Sequence, residues 1–182
     1  MSLDVPALRD DIVALRPPTA DDVDAITDAC QDPEIPRYTR VPTPYTRADA
    51  ETFVRTAADG WMDGTNGSLL IVDAIDERVL LGATGVHRLA ADRSVAEVGY
   101  WIEKSARRRG VATRALRLVS RWIVLDLGVR RLELIADPEN VGSQRVAAAA
   151  GFTREGVLRS YFEHRRGVLD VVMFSLVPGD LD

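Results

Sequence analysis

The residues best placed to do chemistry lie in one run, SVAEVGYWIEKSARRRGVATRAL, from Ser94 to Leu116. In it an apolar strand ends, Arg107, Arg108, Arg109 and Gly110 follow, and an amphipathic helix begins at once with Val111, Ala112 and Thr113. A helix start exposes unpaired amides and the positive end of the helix dipole. Gly110 and Ala112 carry too little side chain to keep a diphosphate away from those amides, and Arg107, Arg109 and Arg114 add positive charge. Three arginines alone read as a solvated turn; their place directly before Gly110 and a helix makes an anion site. No Lys-Ser/Thr follows the glycine as a P-loop requires, and the three-glycine dinucleotide fingerprint is absent. A coenzyme with a pyrophosphate is the natural ligand.

These residues need elements to position them. Residues 12–16 read as a strand, and Thr19 with Asp22 opens a helix over Asp21 to Cys30 in the manner of a capping box. Prolines 33, 36, 42 and 44 make Asp32 to Pro44 an ordered loop or broken helix, before a helix over Arg47 to Gly60. Ser68 to Asp73 and Val79 to Arg88 read as a hairpin, and Ser94 to Ile102 as a further strand. From Val111 to Leu127, Val111, Ala115, Leu118, Trp122 and Leu125 recur at helical spacing as a buried face, and Gly128 stops the helix. A strand over Arg131 to Ala136, an alanine-rich helix over Asn140 to Ala150 and two strands over Thr153 to Leu176, broken near Arg165 to Gly167, complete the chain. The order indicates an α/β or α+β fold around one mixed sheet.

A length of 182 residues suits one domain over residues 1–182. The net charge of -5 argues against wholesale attraction to nucleic acid, so any anion site is local. No apolar run approaches the roughly 18 residues of a membrane span, and MSLDVPALRDD lacks the basic start and apolar stretch of a secretory signal. The expectation is a cytoplasmic protein. The single Cys30 supports neither a disulfide framework nor a multi-cysteine metal site.

The run containing Arg107, Gly110 and Ala112 resembles the Arg/Gln-x-x-Gly-x-Gly/Ala signature of the GNAT superfamily of acetyl-CoA-dependent N-acetyltransferases. The resemblance extends from LRPPTADDVDAI through VLLGATGVHRL to ADPENVGSQRVAAAAGFTREGVLR, and is greatest to the branch of ribosomal-protein N-terminal acetyltransferases. It implies a mixed, mostly antiparallel sheet of about seven strands flanked by helices, splayed between the fourth and fifth. Acetyl-CoA would lie in that cleft, its pantetheine arm along the strand from Tyr100 through Trp101 and Ile102 to Glu103 and its pyrophosphate on Arg107 to Thr113.

Acetyl transfer to an amine needs a base for the ammonium proton, donors for an oxyanion and a donor for the leaving thiolate. Several lineages of the superfamily use a glutamate at about the position of Glu97 as base. Strand alternation puts Glu97 on one face with Gly99 and Trp101; an exposed or salt-bridged carboxylate is the plain alternative. Glu133, one strand on, is the other candidate by the same resemblance. Where many members place a tyrosine seven residues after the helix-opening asparagine, this chain has Ala147. The ribosomal-protein branch is similar to this chain in having serine three residues after that asparagine, so Ser143 is the expected thiolate donor and Asn140 an orienting amide. Each also reads simply as helix capping. A backbone amide near Trp101 or Ile102 suits the oxyanion. His87 and His164 stand alone and receive no role, Cys30 reads as packing, and Trp61, Tyr38 and Tyr45 fall in the variable, substrate-facing region. Acidic residues between Pro33 and Asp63 suit a cationic acceptor.

The expected partners are acetyl-CoA and an amine, first a protein α-amine and second a small amine such as a polyamine, amino acid or aminoglycoside. Nucleic acid, membrane and metal are not expected, and the chain is read as a monomer or homodimer. A non-catalytic acyl-CoA sensor on the same fold is the competing reading.

Overall fold

The computed structural model describes residues 7–181; part of the N-terminal stretch read above for a secretory signal, residues 1–6, lies outside it. Its elements are β1 (Leu8–Arg9), β2 (Val13–Arg16), α1 (Val23–Ala29), α2 (Glu34–Tyr38), α3 (Arg47–Asp63), β3 (Gly67–Asp73), β4 (Leu80–His87), β5 (Ala96–Ile102), α4 (Val111–Arg121), β6 (Leu132–Ala136), α5 (Val141–Ala149), β7 (Thr153–His164) and β8 (Gly167–Leu176).

All eight strands form one sheet in the order β1-β2-β3-β4-β5-β6-β8-β7. Every neighbouring pair is antiparallel except β5 and β6, which run parallel and meet only at Ala96 with Leu132 and Glu97 with Glu133. Beyond those two rungs the strands part, which is the splay expected from the resemblance. The two-residue β1, not read from the sequence, raises the strand count by one and moves the splay to between the fifth and sixth strands.

Side chains alternate across each strand, so a sheet covered on both faces needs strands apolar at every position. In β3, Leu69 and Ile71 are buried on one face, Leu70 and Val72 on the other. On the first face α4 supplies Val111, Ala115, Leu116 and Val119, α5 supplies Ala147, and Trp122 stacks on Trp61 at a centroid separation of 5.7 Å. On the second, Val23, Ile26 and Cys30 from α1 and Ala50 from α3 form a smaller core with Ala14 and Ala83.

Local chemistry sets the helix limits. Thr46 and Asp49 cap α3 reciprocally, and Gly64 at φ 70° ends it three residues later than Gly60. The Thr19–Asp22 box opens a 3-10 turn, so α1 starts at Val23. The proline-rich stretch contains α2, whose Pro36 lies in the first turn, where no amide donor is lost. The helix expected over Val111 to Leu127 is α-helical only to Arg121; Trp122 to Asp126 wind as a π turn. The wider turn shifts the phase of the apolar stripe after Arg121, so Leu125 is exposed; before it, Leu116 and Val119 join Val111 and Ala115 in the core and Leu118 is half-buried.

Candidate active site

The parting of β5 from β6 opens a cleft of about 1050 Å³. Past Glu97 the edge of β5 facing β6 has no partner strand, so it can pair with an extended ligand, except at the Ile102 carbonyl, which accepts from Arg107. The starts of α4 and α5 wall one side of the cleft, and α2, Phe53, Phe162 and His164 wall the other.

The coenzyme-side wall follows from adjacent sequence. Gly110 caps α4 at φ 79°, a conformation that side chains with a Cβ resist, and the space a Cβ would occupy there is open. Glu97, Trp101, Ile102, Arg107, Arg108, Gly110, Val111, Ala112, Thr113, Asn140 and Ser143 all line the cleft. Glu103 does not; its carboxylate accepts from the amide of Ser105 at 2.7 Å and from the Ser105 hydroxyl, capping a short turn.

The arginines divide. Arg108 lines the cleft at positive φ. Arg107 donates to the Ile102 carbonyl at 3.1 Å and pairs with Asp32 at 2.5 Å, so its charge is answered inside the protein and it anchors the turn. Arg109 is exposed outside the cleft lining. It lies on the side of Asp73, whose carboxyl is held below the usual range by the amides of Ile75 and Asp76 and further by Arg109. Arg114 bridges Asp10 and Asp11, each at 2.9 Å. The charge expected from Arg109 and Arg114 is thus turned elsewhere, because each extends toward a carboxylate that sequence spacing does not reveal.

Glu97, 9% exposed, sits on the last paired rung of β5, with the Arg88 guanidinium at 3.4 Å. Glu133, its neighbour across the sheet, is bound by Arg131 at 2.8 Å, and Arg131 also grips Glu155 at 2.6 Å. Glu133 does not line the cleft, so of the two carboxylates only Glu97 reaches it. His87 stands opposite Glu97 on β4 and lines the cleft as well. Burial lowers its pKa, with the Arg40 charge acting in the same direction, which favours a neutral imidazole.

Ser143 is the third residue of α5, and its amide donates to the Asn140 side-chain oxygen at 3.0 Å, the expected cap. Its hydroxyl lies 3.0 Å from the hydroxyl of Tyr100, a contact that sequence reading missed. Burial pushes the Tyr100 phenol up to about 12, with the Ser143 bond opposing, so it stays protonated. Ala147 is fully buried and adds no polar group.

The acceptor-side wall joins segments far apart in sequence. His164 at the end of β7 approaches the carbonyls of Pro36 and Thr39 through Nε2 at 3.1 and 3.2 Å, while its Nδ1 accepts from the Arg166 amide at 3.3 Å. That pattern suits the neutral tautomer with the proton on Nε2. Arg166 donates to the Arg37 carbonyl at 3.1 Å and pairs with Asp137 at 2.6 Å, and Arg165 reaches the Pro36 carbonyl. Arg40 lies over the Phe162 ring at 4.4 Å. Tyr38 and Tyr45 line the cleft, whereas Trp61 is buried in the core with its indole N–H on the Ser68 carbonyl. Burial pushes the Cys30 thiol up to about 12, in keeping with packing. Among the described residues, no group of three His, Cys, Asp or Glu is placed to hold a metal, and no helix is long and apolar enough to cross a membrane.

Residues 13–153 match the family described as Acetyltransferase (GNAT) domain. An uncharacterized N-acetyltransferase, p20, of Bacillus licheniformis is 28% identical over 167 residues, covering 91% of this chain and 92% of its own. RimL, a ribosomal L7/L12 alpha-N-protein acetyltransferase solved with coenzyme A, superposes with a TM-score of 0.84 at 19% identity, over 98% of this chain and 99% of RimL. RimJ of Mycobacterium smegmatis, solved with a CoA-disulfide, gives 0.82 at 22% identity, over 97% of this chain and 88% of RimJ. The family match runs from β2, across the splay and both helices that wall it, to the start of β7, and on that ground the chain belongs to the GNAT acetyltransferases and is an N-acetyltransferase.

Proposed function

We propose that this chain transfers the acetyl group of acetyl-CoA to a primary amine by direct attack in a ternary complex, with a protein N-terminal α-amine as the first acceptor class. The observation that carries the proposal is that the gap between β5 and β6 opens to both faces of the sheet, with Glu97 on one and Ser143 on the other. A bound thioester is thereby accessible to an incoming amine from one face and a thiol-stabilising donor from the other.

In this reading the first amides of α4 hold the pyrophosphate, Gly110 permits its close approach, and Arg108 adds charge. The open edge of β5 pairs with the pantetheine arm. An amine enters past α2 and Phe162, and its proton passes to Glu97, directly or through water. The nitrogen attacks the carbonyl carbon, a β5 amide near Trp101 or Ile102 donates to the developing oxyanion, and the carbon–sulfur bond breaks with its electron pair on sulfur. Ser143 donates a hydrogen bond to that sulfur, and the second proton, shed by the nitrogen as the amide forms, passes through water to the thiolate to give free coenzyme thiol. The protein acceptor is supported by the likeness to RimL, a ribosomal L7/L12 alpha-N-protein acetyltransferase.

The test is acetyl-CoA-dependent release of free thiol by purified protein, against peptides with free N-termini and a panel of small amines, with donor binding measured in parallel. Selective turnover of peptides supports the reading, selective turnover of a small amine overturns the acceptor class, and tight donor binding without turnover on any amine overturns the transferase role.

A further inference from the structure

We propose that Tyr100 is a positioning residue for Ser143: its phenolic hydroxyl donates to the serine oxygen and so turns the serine's own proton into the cleft, toward the sulfur of the coenzyme. The inference rests on the reading of Ser143 given above and adds a residue to it.

A hydroxyl has one proton and two lone pairs, and its rotor settles by what surrounds it. Serines and threonines in helices commonly spend that proton on the carbonyl four residues earlier. Thr27 and Thr56 do so here, at 2.7 and 2.9 Å. Ser143, third in α5, has no helical carbonyl four positions back, and among the described residues its hydroxyl meets only Tyr100, 43 positions away in sequence, at 3.0 Å. A phenol is a stronger donor and a weaker acceptor than an aliphatic alcohol, so Tyr100 gives the proton and Ser143 receives it. The serine proton is then left without a partner inside the protein, at a position that lines the cleft.

Both partners are held. Tyr100 projects from β5 onto the face covered by α4 and α5, where its ring packs against the larger core. Ser143 is fixed by the Asn140 cap on its amide. Glu97, an odd number of residues from Tyr100 along the strand, points to the opposite face. The donor for the leaving group and the base for the amine are therefore separated by the sheet itself and meet only through the gap. As the carbon–sulfur bond breaks, the electron pair goes to sulfur and the Ser143 hydroxyl hydrogen-bonds to the thiolate; Tyr100 keeps its proton throughout.

The experiment compares the unmutated protein, Tyr100→Phe, Ser143→Ala and the double variant by two readouts. The first is the pH titration of the thiol of bound coenzyme A, followed by thiolate absorbance, with affinity from calorimetry. The second is kcat with the best amine of the panel. Tyr100→Phe keeps the ring and its packing, so coenzyme affinity is expected within about twofold, while the bound thiol titrates at higher pH and kcat falls roughly five- to tenfold, the size of one neutral hydrogen bond. Ser143→Ala shifts the thiol in the same direction, and the double variant matches Ser143→Ala in both readouts, since Tyr100 acts only through the serine. Glu97, Asp137, Arg108 and Arg145 also line the cleft and are common to all four proteins, so the differences read the hydroxyls alone. A normal thiol titration in Tyr100→Phe beside a shifted one in Ser143→Ala overturns the positioning role alone. Losses that multiply in the double variant overturn it too. A normal titration in Ser143→Ala overturns the role of the serine itself, and absence of turnover with the titration shifts intact overturns the transferase reading while leaving the hydrogen-bonded pair supported.

Discussion

The two sides of the cleft are built in opposite ways. The coenzyme side comes from two short contiguous runs, Glu97 to Thr113 and Asn140 to Ser143, each a strand, turn or helix start backed by the larger core. The acceptor side joins α2 to the end of the β7–β8 hairpin, more than a hundred residues on, through side chains bonded to backbone carbonyls. The first wall is held by apolar packing and backbone geometry, which local sequence specifies; the second by a few polar bonds over the smaller core. The difference teaches that most of the first wall is specified by neighbouring residues while the second depends on distant segments; the two walls meet where Arg107 pairs with Asp32, just before α2, and where Arg166 pairs with Asp137.

The sharpest way to break the comparison is at Gly110. Gly110→Trp puts a large side chain at φ 79° and over the first amides of α4, and coenzyme affinity by calorimetry is expected to fall about 100-fold, roughly 2.7 kcal/mol. Affinity unchanged by that substitution removes the helix start from the donor site. Next, Glu97→Gln keeps size and burial while removing the base, and kcat is expected to drop about 100-fold with coenzyme binding unaltered; an equal rate in single-turnover assays eliminates Glu97 as proton acceptor.

On the acceptor side, His164→Ala removes the imidazole's bonds to the Pro36 and Thr39 carbonyls and leaves those from Arg165 and Arg166. The KM for the amine is expected to rise about fivefold while donor affinity stays constant, as for one or two lost neutral hydrogen bonds. A change in donor affinity instead would show that the two walls are coupled. The smallest effect is expected at Arg114. Its pairs with Asp10 and Asp11 are partly exposed, so Arg114→Ala should shift the urea-unfolding midpoint only slightly and leave coenzyme affinity within about twofold. A large loss of affinity returns Arg114 to the phosphate site.

Legibility followed the same division. The strand–glycine–helix order at Arg107 to Thr113, the Asn140 cap and the facing of Glu97 were readable because each depends on neighbours within a few positions. Leu125 was misjudged because a π turn after Arg121 altered the helical phase, and a repeat of apolar residues carries no mark of where such a turn falls. Arg109 and Arg114 were assigned to the anion site by proximity along the chain, yet Arg109 lies toward Asp73 and Arg114 reaches Asp10 and Asp11 through folding. The sequence gives no sign that His87 stands beside Glu97, which strand register decides, or that the Tyr100 hydroxyl meets Ser143, which helix docking decides.

The sequence by itself determined the alternation of strands and helices, the glycine-led start of α4 and the small, polar opening of α5, because hydrophobic period, capping and glycine conformation act over one or two turns of chain. Only the tertiary structure decided which carboxylate reaches the cleft, which arginines are neutralised by partners, and which hydroxyl meets Ser143. Those outcomes depend on contacts between segments 40 to 130 positions apart, where the path of the folded backbone, and not the spacing of residues, sets the distance.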